Sequence, residues 1–207
     1  MQKMTIKVAA CEKTPLAGGC YKTNFYLCKL NLIEQRMSFY TKEKLEFLTV
    51  AVETCKYLEG LQHESKTDFV SKMSKLLPLL YLKAMMVPPT ALPDDEVERF
   101  VTECDYEQMR VRLSELLGES DDYLDSFDAD MALSETTLYA TISEDLSDMY
   151  QSLKDFVCCC AAGNDEQSEA ALAVCIDDFR NHWGGRLLGA LRALHVAAVA
   201  PNDTTDE

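Results

Sequence analysis

Five carboxylates in two short runs are the side chains of this sequence best suited to chemistry. Asp121, Asp122 and Asp125 fall within DDYLD, and Asp145 and Asp148 within EDLSDMY. Grouped acids supply oxygen ligands to a hard cation such as magnesium, which keeps several waters and can hold a phosphate chain. A second polar set, Asp178, His182 and Arg186, is spaced i, i+4, i+8 and forms one row along a helix. The plain reading of that row is surface ion pairing, worth about 0.3–0.5 kcal/mol per pair. If the row faces Asp145 and Asp148, two outcomes are open. His182 and Arg186 neutralise the acids in a structural network, or the acids together with Asp121 and Asp122 hold magnesium.

Other chemistries lack their motifs. An EF-hand needs oxygens at alternating positions and a central glycine, and Phe127 and the missing glycine break that pattern from Asp121 onward. Gly118 and Gly163 are isolated, so no glycine-rich loop cradles phosphate, and there is no GxSxG elbow. The nine cysteines include no CxxC pair and no Cys/His set at zinc spacing. Cys158, Cys159 and Cys160 are consecutive, so on a helix they point in different directions. Free thiols in a reducing cytoplasm are the expectation.

The elements that must position these residues are helices. In TISEDLSDMYQSLKDFVCCC, Ile142, Leu146, Met149, Leu153, Phe156 and Cys160 recur at alternating steps of four and three, which is one stripe of an α-helix. Thr141 with Glu144 forms a capping box at its start, and Gly163 stands where a left-handed residue ends it. Earlier, Leu45, Leu48, Val52, Cys55 and Leu58 or Tyr57 predict a helix from about Phe39 to Gln62. Ser65 or Thr67 opens a second one through LLPLLYLKAMMV. That run is apolar nearly all round, so it is expected to be the most buried helix, kinked at Pro78. Asp94 to Glu98 reads as helix or turn, and Asp105 and Gln108 open a short helix that Gly118 stops. Asn164 caps a long final segment with Leu172, Ile176, Phe179, Trp183, Leu187, Ala190 and Leu194 on one face. Gly184-Gly185 is expected to bend it, and Gly185 with Gly189 to admit a neighbouring helix closely. No period-two alternation predicts a strand after Arg36.

Charge sorts the partners. A net charge of −15 over 207 residues opposes binding to a phosphate backbone or to anionic lipid and favours a basic protein partner. No apolar run approaches the roughly 20 residues needed to span a membrane. Residues 1–36 differ from the rest, with six basic residues against two acidic ones, a net of +4 that leaves −19 beyond them. This stretch shows no helical period and reads as a poorly packed extension, with Met37 the expected natural start. Residues 37–199 then form the helical domain, and 200–207 an acidic disordered tail.

The acidic runs are similar to the motif of all-α nucleoside triphosphate pyrophosphatases, Glu-Glu-x-x-Glu and then Glu-x-x-Asp on paired helices. Asp stands here at four of the Glu positions. That resemblance implies carboxylates gathering magnesium around a triphosphate. A longer resemblance runs through LLPLLYLKA, VTECDYEQMR, LLGESDDYLDSF, ISEDLSDMYQSLKDF and FRNHWGGRLLGALRALH. Over about residues 39–195 the chain resembles an uncharacterised all-helical bacterial family, a domain of unknown function common in Bacteroidetes. It implies a soluble helical domain and supplies no activity or ligand.

The resulting expectation is an all-α bundle of five to seven helices with an irregular N-terminal extension. The leading functional reading is a non-catalytic interaction or adaptor domain without a cofactor. The alternative is a magnesium-dependent hydrolase like the nucleoside triphosphate pyrophosphatases. An exposed apolar patch would mark the first, and carboxylates converging in one cavity the second.

Overall fold

The computed structural model describes residues 41–94, 96–125 and 138–199. The expectations for residues 1–36, for Met37 as the start and for the acidic tail lie outside these. Among the described residues there are six α-helices: α1 (Lys42–Glu59), α2 (Lys66–Met86), α3 (Glu103–Leu117), α4 (Ile142–Ala162), α5 (Asp165–Asp178) and α6 (Gly184–Val199). A two-stranded antiparallel hairpin, β1 (Asp122–Asp125) with β2 (Leu138–Thr141), stands before α4. The chain is thus an all-α bundle with one small β element that the sequence reading did not foresee. Each strand has four residues, too few for a period of two to show.

The helix α4 is the hub. It packs against α1, α3, α5 and α6, whereas α2 packs against α1 and α6. Every residue of its expected stripe is buried. Thr141 Oγ1 accepts the Glu144 N–H at 3.3 Å, and Gly163 ends the helix at φ 86°. The first two donors of the helix are met from outside it. Asp121 accepts the Ile142 N–H through its carbonyl at 2.9 Å and the Ser143 N–H through its carboxylate at 2.7 Å. Twelve of the 21 residues of α4 are buried against six of 21 in α2, so α4 and not α2 is the most buried helix. The reason is that α2 uses only one apolar face, formed by Phe69, Met73, Leu77, Leu80 and Ala84. Leu79, Leu82, Met85 and Met86 on its other face are exposed.

Two helix starts refine the reading. Ser65 caps α2 by accepting the Asp68 N–H at 3.1 Å. At α3 the cap is Thr102, and Asp105 is its reciprocal partner rather than the cap. Residues 96–102 form an extended connection, not a helix.

The seven apolar residues assigned to the final face are all buried, Trp183 completely. The expected bend falls one turn before the glycine pair: residues Phe179–Trp183 make a π turn joining α5 to α6. Gly184 permits it, because a Cβ there would collide with the Phe179 carbonyl and ring. Gly185 has open space around it. Gly189 lies beneath Tyr123 of the hairpin, whose hydroxyl stands 2.5 Å from where a Cβ would be. Its close neighbour is therefore a tyrosine and not another helix. The six described cysteines are free thiols, and no helix among the described residues is long and apolar enough to cross a membrane.

Two outcomes test this packing. Trp183→Ala is expected to cost about 3–5 kcal/mol of unfolding free energy, measured by urea denaturation. Fluorescence of the native protein should be blue-shifted, since Trp183 is fully buried and donates to the Cys175 carbonyl at 3.3 Å. Gly184→Ala should lower the melting temperature strongly. Gly185→Ala should stabilise by about 0.5–1 kcal/mol, because alanine is the better helix former where space is open. Equal effects at the two positions would contradict the π-turn geometry.

Candidate functional site: an acidic groove beside a buried Asp-Arg-Tyr cluster

Three acids gather around the start of α4, Asp121 from before β1 and Asp145 and Asp148 from the helix itself, and their fates differ. Asp121 is 5% exposed, and Ser143 binds both of its carboxylate oxygens, through N–H and through Oγ, each at 2.7 Å. Asp145 is 3% exposed. A carboxylate so buried needs donors and a cation. Tyr123 Oη donates to it, and Arg186 lies at 3.5 Å. Asp148, one turn on, takes the same guanidinium at 2.8 Å and the Tyr106 hydroxyl at 2.8 Å. Burial and the Asp148 carboxylate push the Tyr106 phenol well above its ordinary range, which keeps it a proton donor.

The expected polar row is split. Arg186 reaches the Asp145–Asp148 pair, Asp178 accepts from the Ser152 hydroxyl at 3.1 Å, and His182 is exposed. The π turn lies between Asp178 and Arg186, and its wider winding breaks the i, i+4, i+8 register that a regular helix would keep.

Asp148, Asp178 and His182 do come together, on the wall of a groove of about 560 Å³. One side is the connection that follows α2, which contributes Asp94, Glu96 and Glu98. The other comes from α4 and α5, with Asp148, Asp155, Asp177 and Asp178. Phe156, Ala171, Val174 and Cys175 add an apolar floor, and Arg99 and His182 are its basic members. The connection is held in place from α4. Asp155 accepts the N–H groups of Phe100 at 2.6 Å and Val101 at 2.9 Å, and the Cys159 thiol donates to the Glu98 carbonyl at 3.7 Å. Burial pushes the Asp155 carboxyl above its ordinary value, against the pull of those two N–H donors.

Seven carboxylates against one arginine give the groove an acidic lining. Its lining cysteine, Cys175, is not an activated thiolate, because burial raises that thiol far above its usual range. Of the five acids singled out for magnesium, only Asp148 lines the groove. Asp121 and Asp145 are buried in their own hydrogen bonds, Asp122 pairs with Thr141 in the hairpin, and the carboxylate of Asp125 lies outside the described side chains. Among the described residues, no three His, Cys, Asp or Glu side chains are grouped so as to hold a metal ion.

Sequence reasoning missed Tyr106, Tyr123 and Asp155. Asp155 stands on the polar side of α4, and nothing local distinguishes it from a solvated acid. The tyrosines come from other elements, and their one signal was the buried position of Asp145 beside the stripe, which required donors from somewhere. The cluster can be tested directly. Arg186→Met should destabilise by about 3 kcal/mol, because it leaves Asp145 charged and buried. Adding Asp145→Asn should recover part of that loss, since an amide oxygen still accepts from Tyr123. Simple additivity of the two changes in a denaturation cycle would show that the residues are not coupled.

Comparison with known proteins agrees with this architecture. No curated protein matches the chain. Among solved structures, the crystal structure of protein BF1032 from Bacteroides fragilis is similar to it, with 39% sequence identity and a TM-score of 0.69. That match covers 78% of this chain and 96% of the other. A family model described as a domain of unknown function, DUF5063, matches residues 38–200. The chain therefore belongs to the DUF5063 family.

Proposed function

We propose that this protein is a non-catalytic interaction module that receives a basic segment of a partner protein in the groove between α4, α5 and the connection after α2. The observation that carries this reading is the groove's composition: seven carboxylates over an apolar floor, with one arginine. A lysine or arginine side chain matches both parts, because its aliphatic stem covers apolar surface while its charged end meets the acids. The groove walls are braced in advance by Asp155 and Cys159, so little ordering accompanies docking. The net charge of −15 steers a basic partner toward the protein as a whole.

The experiment is a fluorescence titration of the full chain with a labelled lysine-rich peptide. Saturable binding is expected, weakening as salt screens the charges. The double reversal Asp177→Lys/Asp178→Lys should abolish it, while Glu103→Lys/Glu107→Lys on the exposed side of α3 should leave it nearly unchanged. Equal losses in the two variants would mean that net charge alone attracts the peptide and would overturn the groove. The magnesium-hydrolase reading is checked in the same samples. Saturable magnesium heat together with pyrophosphate release from a nucleoside triphosphate, both lost in Asp148→Asn, would replace the adaptor reading.

A further inference from the structure

The acidic groove has an occupant of matching chemistry within the same chain. Its acids divide into two sets. Asp148 pairs with Arg186, Asp155 accepts two backbone N–H groups, and Asp178 accepts the Ser152 hydroxyl. Asp94, Glu96, Glu98 and Asp177 pair with no lysine or arginine among the described residues. The charge that matches them is collected in one place. Residues 1–36 carry six basic side chains against two acidic ones, in a chain whose remainder has a net charge of −19. Within this segment Lys22, Lys29 and Arg36 are spaced by seven, and Phe25, Tyr26, Leu27, Leu30, Leu32 and Ile33 lie between them, with Glu34 the one acid. Residues 22–36 thus hold both chemistries that the groove lining asks for, cations for the acids and apolar side chains for the floor of Phe156, Ala171 and Val174.

The bundle also brings the start of α1 to the groove. Thr41 is the N-cap of α1, and Phe47, less than two turns on, stacks on Phe156 of the groove floor with ring centroids 5.6 Å apart. Lys44, in the first turn, reaches Glu169 at 2.5 Å, two residues before the groove-lining Ala171 of α5. The helix therefore begins beside the end of the groove that Phe156 and Ala171 form. At about 3.3 Å per residue, the chain from Arg36 to Thr41 spans up to about 17 Å, and from Lys29 up to about 40 Å. The groove follows α4 from Asp148 to Phe156, about 12 Å of helix. Lys29 and Arg36 are thus within reach of its acids, and a tethered segment acts at an effective concentration of about millimolar.

We propose that residues 22–36 of this chain occupy the acidic groove, so that a basic segment of a partner enters only by displacing them. The inference rests on the reading of the groove as a receptor for a basic segment, and supplies its regulation. It takes the place of the poorly packed extension expected from the sequence. The apparent affinity for a partner is then lowered by the fraction of grooves already filled.

The test uses the full chain. Carbodiimide coupling joins a lysine amine to a carboxylate in contact with it, and peptide mass spectrometry locates the links. Links from Lys22 or Lys29 to Asp94, Glu96, Glu98 or Asp177 are expected, and high salt should suppress them. Lys22→Gln/Lys29→Gln should bind a labelled lysine-rich peptide at least about fivefold more tightly than the wild type, because more grooves stand open. Lys66→Gln/Lys75→Gln removes the same charge from α2, which contributes no lining residue, and should bind as the wild type does. Absence of groove links, no gain in Lys22→Gln/Lys29→Gln, or an equal gain in both variants would overturn the inference. So would links formed only between copies in a mixture of isotopically labelled and unlabelled chains, because a second copy would then be the occupant. If the wild type still binds the peptide in those cases, the groove reading stands and this inference alone falls. Absence of peptide binding in every variant, with no groove links, removes both.

Discussion

A buried carboxylate at Asp145 constrains much of what surrounds it. Placing a charge 3% exposed in the core of a bundle carries a large desolvation cost unless donors and a cation meet it there. Several otherwise unrelated features converge on that requirement. The hairpin brings Tyr123 over α6 so that its hydroxyl donates to Asp145. Gly189 lacks the side chain that would block the tyrosine. Arg186 is shared between Asp145 and Asp148, and Asp148 in turn takes the Tyr106 hydroxyl from α3. Arg192 of α6 donates to the Leu124 carbonyl at 2.6 Å and holds the hairpin from its other side. One polar cluster thus ties α3, α4, α6 and the hairpin together where apolar contact alone would leave the register of a four-residue strand loosely specified.

The same helix organises the groove. The buried stripe of α4 faces the core, and its polar side supplies Asp148 and Asp155. Asp155 turns two backbone N–H groups of the connection inward, which converts an extended segment bearing Asp94, Glu96 and Glu98 into a fixed wall. The π turn completes the arrangement from the other end. Its extra residue per turn leaves Asp178 and His182 on the groove while Arg186 serves the buried acids. Five residues of altered winding thus leave Asp178 on the groove wall without Arg186, which pairs with Asp145 and with the groove-lining Asp148.

Surface chemistry divides in a way that net charge conceals. Acidic residues dominate the chain, and of the four lysines that α2 collects beside its exposed apolar face, Lys72 and Lys83 are ion-paired with Glu64 and Glu46. A helix that is apolar all round is normally buried all round. The structure buries one face of α2 and leaves Leu79, Leu82, Met85 and Met86 exposed on the other.

The sequence by itself determined the helices, and it did so through local rules. The three–four repeat from Ile142 to Cys160 named the stripe of α4 residue by residue, Thr141 and Gly163 marked its ends, and the face from Leu172 to Leu194 is buried as its spacing required. Periodicity, caps and terminating glycines act within a few residues, so one chain segment contains all the information they use. The tertiary structure decided what required distant segments. Thr102 rather than Asp105 as the cap of α3 was a choice between near neighbours, but the hairpin, the tyrosine donors, the groove wall and the split of Asp178 from Arg186 were not. Each depends on a contact between residues far apart in sequence, such as Asp155 with Phe100 and Arg186 with Asp145, or on a π turn whose winding no 3.6-residue period encodes. Which acid is solvated, which is buried with a cation and which lines a groove is settled only when those surfaces meet, because desolvation is a property of the packed environment and not of the residue type.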